Sequence, residues 1–219
     1  MNGPRRSFDR LATHYRALEL LAFGRDLERA RFAHLPRLAD CRRILVLGEG
    51  DGRCLAQLVR LAPRAQIVCL DLSAAMLTRA AARLDPAARE RVRFQQADLL
   101  SADLPGGPYD AVITLFLLDC FTPPQVATLV ERIVARLEPG ALWLWADFVL
   151  PAHGPARWRA QIWVAVLYAF FRWQTGVAVH ALPPSEALLT AAGCQAEVSH
   201  NFQFGLLRTT LFRYRPTPI

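Results

Sequence analysis

The sequence predicts a doubly wound α/β fold, and two patterns carry that prediction. From Arg43 onward, short continuous apolar runs alternate with stretches of helical period. Continuous apolar runs are typical of strands buried on both faces, which occur in parallel sheets covered by helices. Near the C-terminus, two extended stretches follow each other without a helix between them, which predicts a closing antiparallel hairpin. We therefore expect a mostly parallel seven-stranded sheet.

The individual elements follow from local signals. Residues 8–38 contain no strand candidate and have apolar residues at helical spacing, so one or two helices are expected before the first strand. Ser73 suits a helix N-cap, Pro123-Pro124 opens a helix, and Glu138-Pro139-Gly140 closes that helix. The predicted strands are 44–47, 67–70, 92–94, 111–116, 141–149, 195–204 and 206–214, and the predicted helices between them are 54–61, 74–84, 125–137 and 185–192.

The chain has no internal repeat, low-complexity segment or linker, so residues 1–219 are interpreted as one domain. Its expected parts are an N-terminal helical cap (1–40), a ligand-binding core (43–149), a helical lid (150–182), and a final helix and hairpin (183–219). Six aromatic residues fall within 156–175, which indicates an unusual helical insertion after the fifth strand. That helix is either a lid over an apolar pocket or an aromatic core helix.

The composition argues against a nucleic-acid-binding protein, a secreted protein and a metal-binding protein. The chain is 53% hydrophobic with a net charge of +7, and all 26 of its basic residues are arginine. Because these arginines are scattered, we interpret them as decoration of solvated helix faces and expect no nucleic-acid partner. Five cysteines without CxxC spacing indicate free thiols in a reducing compartment, and residues 1–8 contain no apolar run of a secretory signal. A cytoplasmic location is therefore expected, and the five histidines predict no metal site.

The most informative segment is the loop after the first predicted strand, Gly48-Glu49-Gly50-Asp51-Gly52. Glycines at alternating positions let the backbone turn sharply and approach a ligand. A dinucleotide fingerprint needs a further glycine at position 53, which is arginine here. Two carboxylates would also repel a pyrophosphate. The loop therefore suits a cofactor without phosphates, and preferably a cationic one.

Two further carboxylates follow the next two predicted strands. Asp71 ends the second strand, where it can accept the hydroxyl groups of a ribose, and Asp98 follows the third, where it can accept from an adenine amino group. Each aspartate alone is equally explained as a helix cap or a turn residue. Because the carboxyl ends of parallel strands share one edge, the three features together predict a single ligand site there.

These residues carry a resemblance to the class I (Rossmann-like) S-adenosylmethionine-dependent methyltransferases. The similarity spans about residues 43–149 and consists of Val-Leu-Gly-Glu-Gly-Asp-Gly, Cys-Leu-Asp-Leu-Ser with a following methionine, Phe-Gln-Gln-Ala-Asp-Leu, Tyr-Asp-Ala-Val-Ile-Thr and Leu-Glu-Pro-Gly-Ala-Leu. It implies S-adenosylmethionine as cofactor, held by Gly48, Glu49, Gly50, Asp51, Gly52, Asp71, Leu72, Met76, Asp98, Leu99 and Leu115. The family usually has an acidic residue where this chain has Val46, and Glu49 or Asp51 is expected to replace it at the cofactor's amino group.

A looser resemblance concerns the acceptor. Phe8 to Tyr15, followed by Phe23-Gly24, is similar to the opening of the ubiquinone and menaquinone C-methyltransferases. The resemblance to the class I methyltransferases also places residues after the fourth strand beside the transferred methyl group, which makes Asp119 the candidate base or orienting group. The alternative for Asp119 is the N-cap of the helix after Pro123-Pro124. His14 and Tyr15 are further catalytic candidates, if the N-terminal helices fold over the pocket.

The leading hypothesis is a methyltransferase acting on a small hydrophobic acceptor, aromatic or quinone-like. The alternatives are a nucleic-acid methyltransferase, favoured only by the charge, and a protein that binds S-adenosylmethionine without turnover. Aromatic residues and arginines in 157–173 also suggest peripheral contact with a lipid surface.

Overall fold

The computed structural model describes residues 24–151, 153–155, 157–165 and 181–216. The strands, in chain order, are β1 (Arg43–Leu47), β2 (Gln66–Asp71), β3 (Val92–Gln96), β4 (Tyr109–Leu115), β5 (Leu137–Phe148), β6 (Cys194–Phe202) and β7 (Leu207–Tyr214). The helices are α1 (Asp26–Phe32), α2 (Arg53–Leu61), α3 (Ala74–Ala82), α4 (Pro86–Glu90), α5 (Pro123–Val134), α6 (helical residues 157–165) and α7 (Ser185–Ala191). Short 3-10 turns cover Leu35–Leu38, Leu118–Cys120 and Gln203–Gly205.

The strands form one sheet in the order β3-β2-β1-β4-β5-β7-β6. Neighbours from β3 through β5 are parallel, whereas β7 is antiparallel to both β5 and β6. This confirms the predicted doubly wound sheet with an antiparallel hairpin. The strand order reverses between β1 and β4, and open α/β sheets bind their ligands beside such a reversal, outside the carboxyl ends of the strands.

The core lies on both faces of the sheet. Ile44 and Val46 of β1 pack on the face covered by α2 and α3, whereas Leu45 and Leu47 pack on the face covered by α5 and α7. All four side chains are buried. Burial on both faces explains why β1 is apolar at every position of the run, and it is the physical basis of the strand prediction.

Two expectations about element boundaries are wrong. Helix α5 ends at Val134, and Glu138-Pro139-Gly140 lies inside β5, which begins at Leu137. The pairing of β4 with β5 is irregular at this point: Tyr109 faces Leu137 and Ala111 faces Leu142, so extra residues of β5 bulge out. A proline is tolerated in a strand where the ladder is interrupted. Helix α4 was not predicted, although Asp85 caps it by accepting from Ala88 N at 2.8 Å.

The expectation that the arginines only decorate solvated faces is also wrong for several of them. Arg91 donates to the carbonyl oxygens of Val59, Ala62 and Ala65 around the end of α2. Other arginines make comparable bonds: Arg132 with Leu99 O and Ala102 O, Arg136 with Gly106 O, and Arg213 with Gly140 O. These guanidinium groups fasten the connections between elements.

Helix α6 packs on the molecule through its small side chains. Ala160 is buried against Leu27, Leu206 and Leu207, whereas Trp158 is 70% exposed. Trp158 therefore does not belong to an aromatic core. The remainder of the predicted lid, residues 166–180, lies outside the described residues, and none of the described helices is long and apolar enough to cross a membrane.

Candidate functional site

The loop between β1 and α2 lies where the strand order reverses, and its glycines meet different surroundings. A Cβ on Gly52 would lie 2.3 Å from Ala80 Cα, so this glycine permits close packing of α2 against α3. A Cβ on Gly48 would lie 2.6 Å from Leu117 Cδ1. Gly50 has a φ of +71°, yet a Cβ there would meet no protein atom within 4 Å. Of the three, Gly50 therefore leaves open space for a ligand.

Asp71, at the end of β2, is held against this loop by two backbone amides. Gly50 N donates to Asp71 Oδ2 at 3.1 Å, and Ser73 N donates to Asp71 Oδ1 at 2.9 Å. Ser73 in turn caps α3 by accepting from Met76 N at 3.2 Å, as predicted for that residue. The structure thus brings Gly50 and Asp71, which are 21 residues apart, into one site with a fixed carboxylate orientation.

Glu49 and Asp51 have different environments within the same loop. Glu49 Oε1 accepts from Leu55 N at 2.8 Å, and burial raises the pKa of Glu49 to about 7. Asp51 lies 3.0 Å from both Arg53 and Arg83; although burial raises its pKa, the two guanidinium groups hold the pKa below its usual value. Because Asp51 is engaged by these arginines, Glu49 is the better candidate for a cationic amino group.

The remaining predicted cofactor residues surround the same edge of the sheet. Ala97 N donates to Asp71 O at 3.0 Å, which places the neighbouring Asp98 beside Asp71. Asp98 Oδ1 accepts from Leu100 N at 3.0 Å. Leu72 is half-buried and its carbonyl accepts from Gln96 Nε2 at 3.0 Å. Met76, Leu99 and Leu115 are buried apolar side chains.

The segment after β4 lies beside this loop, because Leu117 fills the space next to Gly48. Phe116 has a φ of +54°, an unfavourable conformation for a bulky residue, and its ring centroid lies 5.4 Å from that of Phe148. The Arg31 guanidinium lies 5.3 Å from the centre of the Phe116 ring. Two aromatic rings and one cation therefore border the site on this side.

Asp119 lies in the 3-10 turn after Phe116 and is paired with a second carboxyl group. Asp119 N donates to Asp147 Oδ2 at 3.1 Å, and the two carboxyl groups are hydrogen-bonded to each other. Both residues are buried, at 7% and 2% exposure. Burial raises the pKa of Asp119 to about 6. Burial and the neighbouring Asp119 charge raise the pKa of Asp147 well above its ordinary value. The pair therefore shares a proton near neutral pH.

The structure excludes one of the two interpretations of Asp119, namely that it is the N-cap of α5. The N-cap of α5 is Thr122, whose backbone N–H donates to Gln125 Oε1 at 2.9 Å. Asp119 is therefore not the cap of that helix. His14 and Tyr15, the other catalytic candidates, lie outside the described residues.

Sequence reasoning missed two residues of the site, Asp147 and Arg31. Asp147 is a lone carboxylate in the apolar run of β5, a signal that could have drawn attention to it. Arg31 belongs to an ordinary amphipathic helix, and nothing in its local sequence indicates that it approaches Phe116.

Comparison with known proteins places the chain among methyltransferases. Residues 44–140 match a family described as a methyltransferase domain. The chain is 32% identical over 189 residues to a trans-aconitate 2-methyltransferase of Methylobacterium nodulans, which covers 83% of this chain and 69% of the relative. It is 33% identical over 149 residues to the demethylmenaquinone methyltransferase of Thermus thermophilus, covering 67% and 66%.

The fold is similar to that of solved methyltransferases. The N-methyltransferase NodS from Bradyrhizobium japonicum WM9 superposes with a TM-score of 0.59 at 18% identity, over 87% of this chain and 97% of that protein. The chain spans 63% of the length of the mycobacterial methyltransferases it matches, and 58% to 69% of the length of the other curated relatives.

Proposed function

Because the chain belongs to the class I S-adenosylmethionine-dependent methyltransferases, we propose that it transfers the methyl group of S-adenosylmethionine to a small apolar acceptor, aromatic or quinone-like. The observation that carries this proposal is the buried pair of Asp119, which follows β4, and Asp147, which lies in β5. The pair lies beside aromatic rings and next to the loop expected to hold the cofactor. An acidic hydrogen on the acceptor needs a base, and Asp119 is the carboxylate proposed to receive it.

The residues present fit S-adenosylmethionine. The open space at Gly50 admits a ligand close to the backbone, and Asp71 is oriented by two amides at the point where a ribose would be recognised. Glu49 offers a carboxylate to an amino group, and Asp98 offers one to the adenine. When bound, S-adenosylmethionine supplies an electrophilic methyl group on a sulfonium centre.

The chain's own residues then have three tasks. Phe116 and Phe148 present apolar surface that excludes water and orients a flat acceptor. Asp119 accepts the proton that the acceptor loses. Asp147 holds Asp119 in place through the Asp119 backbone amide and keeps the shared proton, so that Asp119 carries the charge above pH 6.

A small carboxylic acid is a second candidate acceptor, and one observation favours it. Arg31 places a positive charge 5.3 Å from the Phe116 ring, where it could bind a carboxylate. The relative named trans-aconitate 2-methyltransferase matches 83% of the chain. A carboxylate that is methylated on oxygen has no proton to lose, so this reaction would not need Asp119.

The test is formation of S-adenosylhomocysteine by the full chain with a panel containing a quinol, a catechol, trans-aconitate and a thiol. Turnover of the quinol or the catechol that is abolished by Asp119→Asn supports the proposal. The matched control is Asp40→Asn, because the Asp40 side chain is 97% exposed and lies before the start of β1, at the opposite end of that strand from the site.

Three results would contradict the proposal. Turnover of trans-aconitate alone, unaffected by Asp119→Asn and lost in Arg31→Gln, would favour the carboxylate acceptor. Binding of S-adenosylmethionine without turnover of any acceptor would favour a non-catalytic protein. Methylation of RNA or DNA added to the panel, in preference to every small acceptor, would favour the nucleic-acid alternative.

A further inference from the structure

Exposed apolar side chains of the described residues concentrate on one surface. Among residues 24–151, 153–155, 157–165 and 181–216, six large hydrophobic side chains are clearly exposed, and of these six only Leu100 lies elsewhere in the chain. The other five, here called the apolar patch, are Leu150, Trp158, Ile162, Trp163 and Phe204. Such clustering is unusual for a soluble surface and marks an interaction site.

Helix α6 presents one side of this patch. Trp158 and Ile162 are four residues apart and therefore lie on the same face of the helix, at 70% and 45% exposure. The opposite side carries Ala160, which is buried against α1 and the start of β7. The helix thus anchors itself through a small residue and turns its largest side chain to the solvent.

The turn between β6 and β7 supplies the other side. Phe204 is 77% exposed and has a φ of +56°, and the preceding Gln203 has a φ of +50°. A bulky residue in the left-handed region is strained, and its exposure brings no compensating burial. Arg159 of α6 connects the two sides, because its guanidinium lies 4.2 Å from the Phe204 ring and donates to Gln203 O at 3.0 Å.

The charges in the chain segment that carries most of the patch are of one sign. No acidic residue occurs between Asp147 and Glu186, a segment that contains three arginines. Two of them, Arg157 and Arg159, flank Trp158 directly. Two copies of such a surface would repel each other across a symmetric interface, whereas an anionic surface would be attracted. Aromatic residues flanked by arginines are typical of helices that lie in the headgroup region of a bilayer.

We propose that the apolar patch docks the protein on anionic phospholipid membranes, with Trp158, Ile162 and Phe204 entering the headgroup region and Arg157 and Arg159 facing the lipid phosphates. This proposal is independent of the methyl acceptor. It gives the strained turn at Phe204 and the outward-facing Trp158 a common role, which neither the core nor the predicted catalytic site provides.

The test is co-sedimentation of the full chain with vesicles of phosphatidylcholine and phosphatidylglycerol (3:1) and with pure phosphatidylcholine vesicles. We expect partition into the mixed vesicles, at least tenfold weaker partition into the neutral ones, and a loss of at least tenfold in Trp158→Ala/Phe204→Ala. Arg157→Gln should weaken partition roughly fivefold, since an arginine near an anionic leaflet is worth about that factor. The matched control is Leu100→Ala, which removes an exposed apolar side chain outside the patch and should change nothing.

Several results would overturn the proposal: no partition into either vesicle, partition unchanged in both the double variant and Arg157→Gln, or equal binding to neutral vesicles. A dimer seen by light scattering that disappears in the double variant would assign the patch to self-association instead. The double variant and Arg157→Gln should keep the wild-type thermal midpoint within about 2 °C, because the replaced side chains of Arg157, Trp158 and Phe204 lie on the surface. Arg157→Gln keeps the test valid should the double variant misfold.

Discussion

The replacement Asp119→Asn should stabilise the protein at neutral pH while it removes activity. In the folded chain, burial raises the pKa of Asp119 from 3.8 to about 6. A carboxyl group whose pKa is higher in the folded than in the unfolded state contributes stability below the unfolded pKa, and this contribution is lost as the pH rises through 6. The shift corresponds to about 3 kcal/mol. Asparagine does not titrate, so the variant does not lose this stability as the pH rises.

The assay is urea unfolding of the wild type and the variant at pH 4 and pH 7.5. Over this interval the free energy of unfolding of the wild type should fall by about 2.5 kcal/mol more than that of Asp119→Asn, because most of the titration lies within it. Titrating groups outside the pair change stability in both proteins and largely cancel from the comparison. Asp147 does not cancel: without the Asp119 charge its pKa is raised less in the variant, which enlarges the difference in the same direction. Asp40→Asn, which changes a side chain that is 97% exposed, should match the wild type.

The same variant tests the catalytic part of the reasoning. Loss of a general base should lower kcat by about 10² to 10⁴ for an acceptor that must lose a proton, with cofactor affinity unchanged. The wild type should show an acid limb with a midpoint near pH 6. Equal loss of stability in both proteins between pH 4 and pH 7.5 would refute the titration of a buried Asp119, and an unchanged kcat would refute its role as base.

Three further substitutions separate folding from binding. Gly52→Ala should destabilise the fold by about 3 kcal/mol in urea unfolding, since its Cβ would lie 2.3 Å from Ala80 Cα at a φ of +86°. Gly50→Ala should cost only about 1 kcal/mol because its Cβ meets no protein atom, yet should weaken S-adenosylmethionine binding at least tenfold in calorimetric titration. Thr114→Val should cost about 1 to 3 kcal/mol without affecting that binding, because it leaves the buried Trp143 Nε1–H, now 2.8 Å from Thr114 Oγ1, without an acceptor. Equal effects of the two glycine variants on affinity, or an unaltered stability of Thr114→Val, would contradict these assignments.

The central strands could be predicted from sequence because burial on both faces makes them continuously apolar. Ile44 to Leu47 shows this directly, since every one of these side chains enters one of the two core layers. The start of β5 could not be predicted. Pro139 and Gly140 are ordinary signals of a helix end, and only the irregular pairing with β4 shows that a strand passes through them.

The residues of the candidate site could be predicted where each one directly follows a single strand. Asp71 and the glycine loop were found because each follows an apolar run, although their contact at 3.1 Å appears only in three dimensions. The partner of Asp119 was not found, because Asp147 is 28 residues away and lies in a different strand. Pairings between distant residues depend on the strand order, which local patterns do not contain.

The position of β7 has a consequence for how the protein is made. This strand follows β6 in the chain but lies between β5 and β6 in the sheet. As the nascent chain leaves the ribosome, β6 therefore emerges before the strand that will pair it to the sheet. Until β7 has been synthesised, the edge of β5 that pairs with it is exposed, and Trp145 lacks its ring contact with Phe212 of β7. Interrupted synthesis would consequently leave β6 unpaired and one edge of β5 bare, and such exposed strand edges are substrates for chaperones and seeds for aggregation.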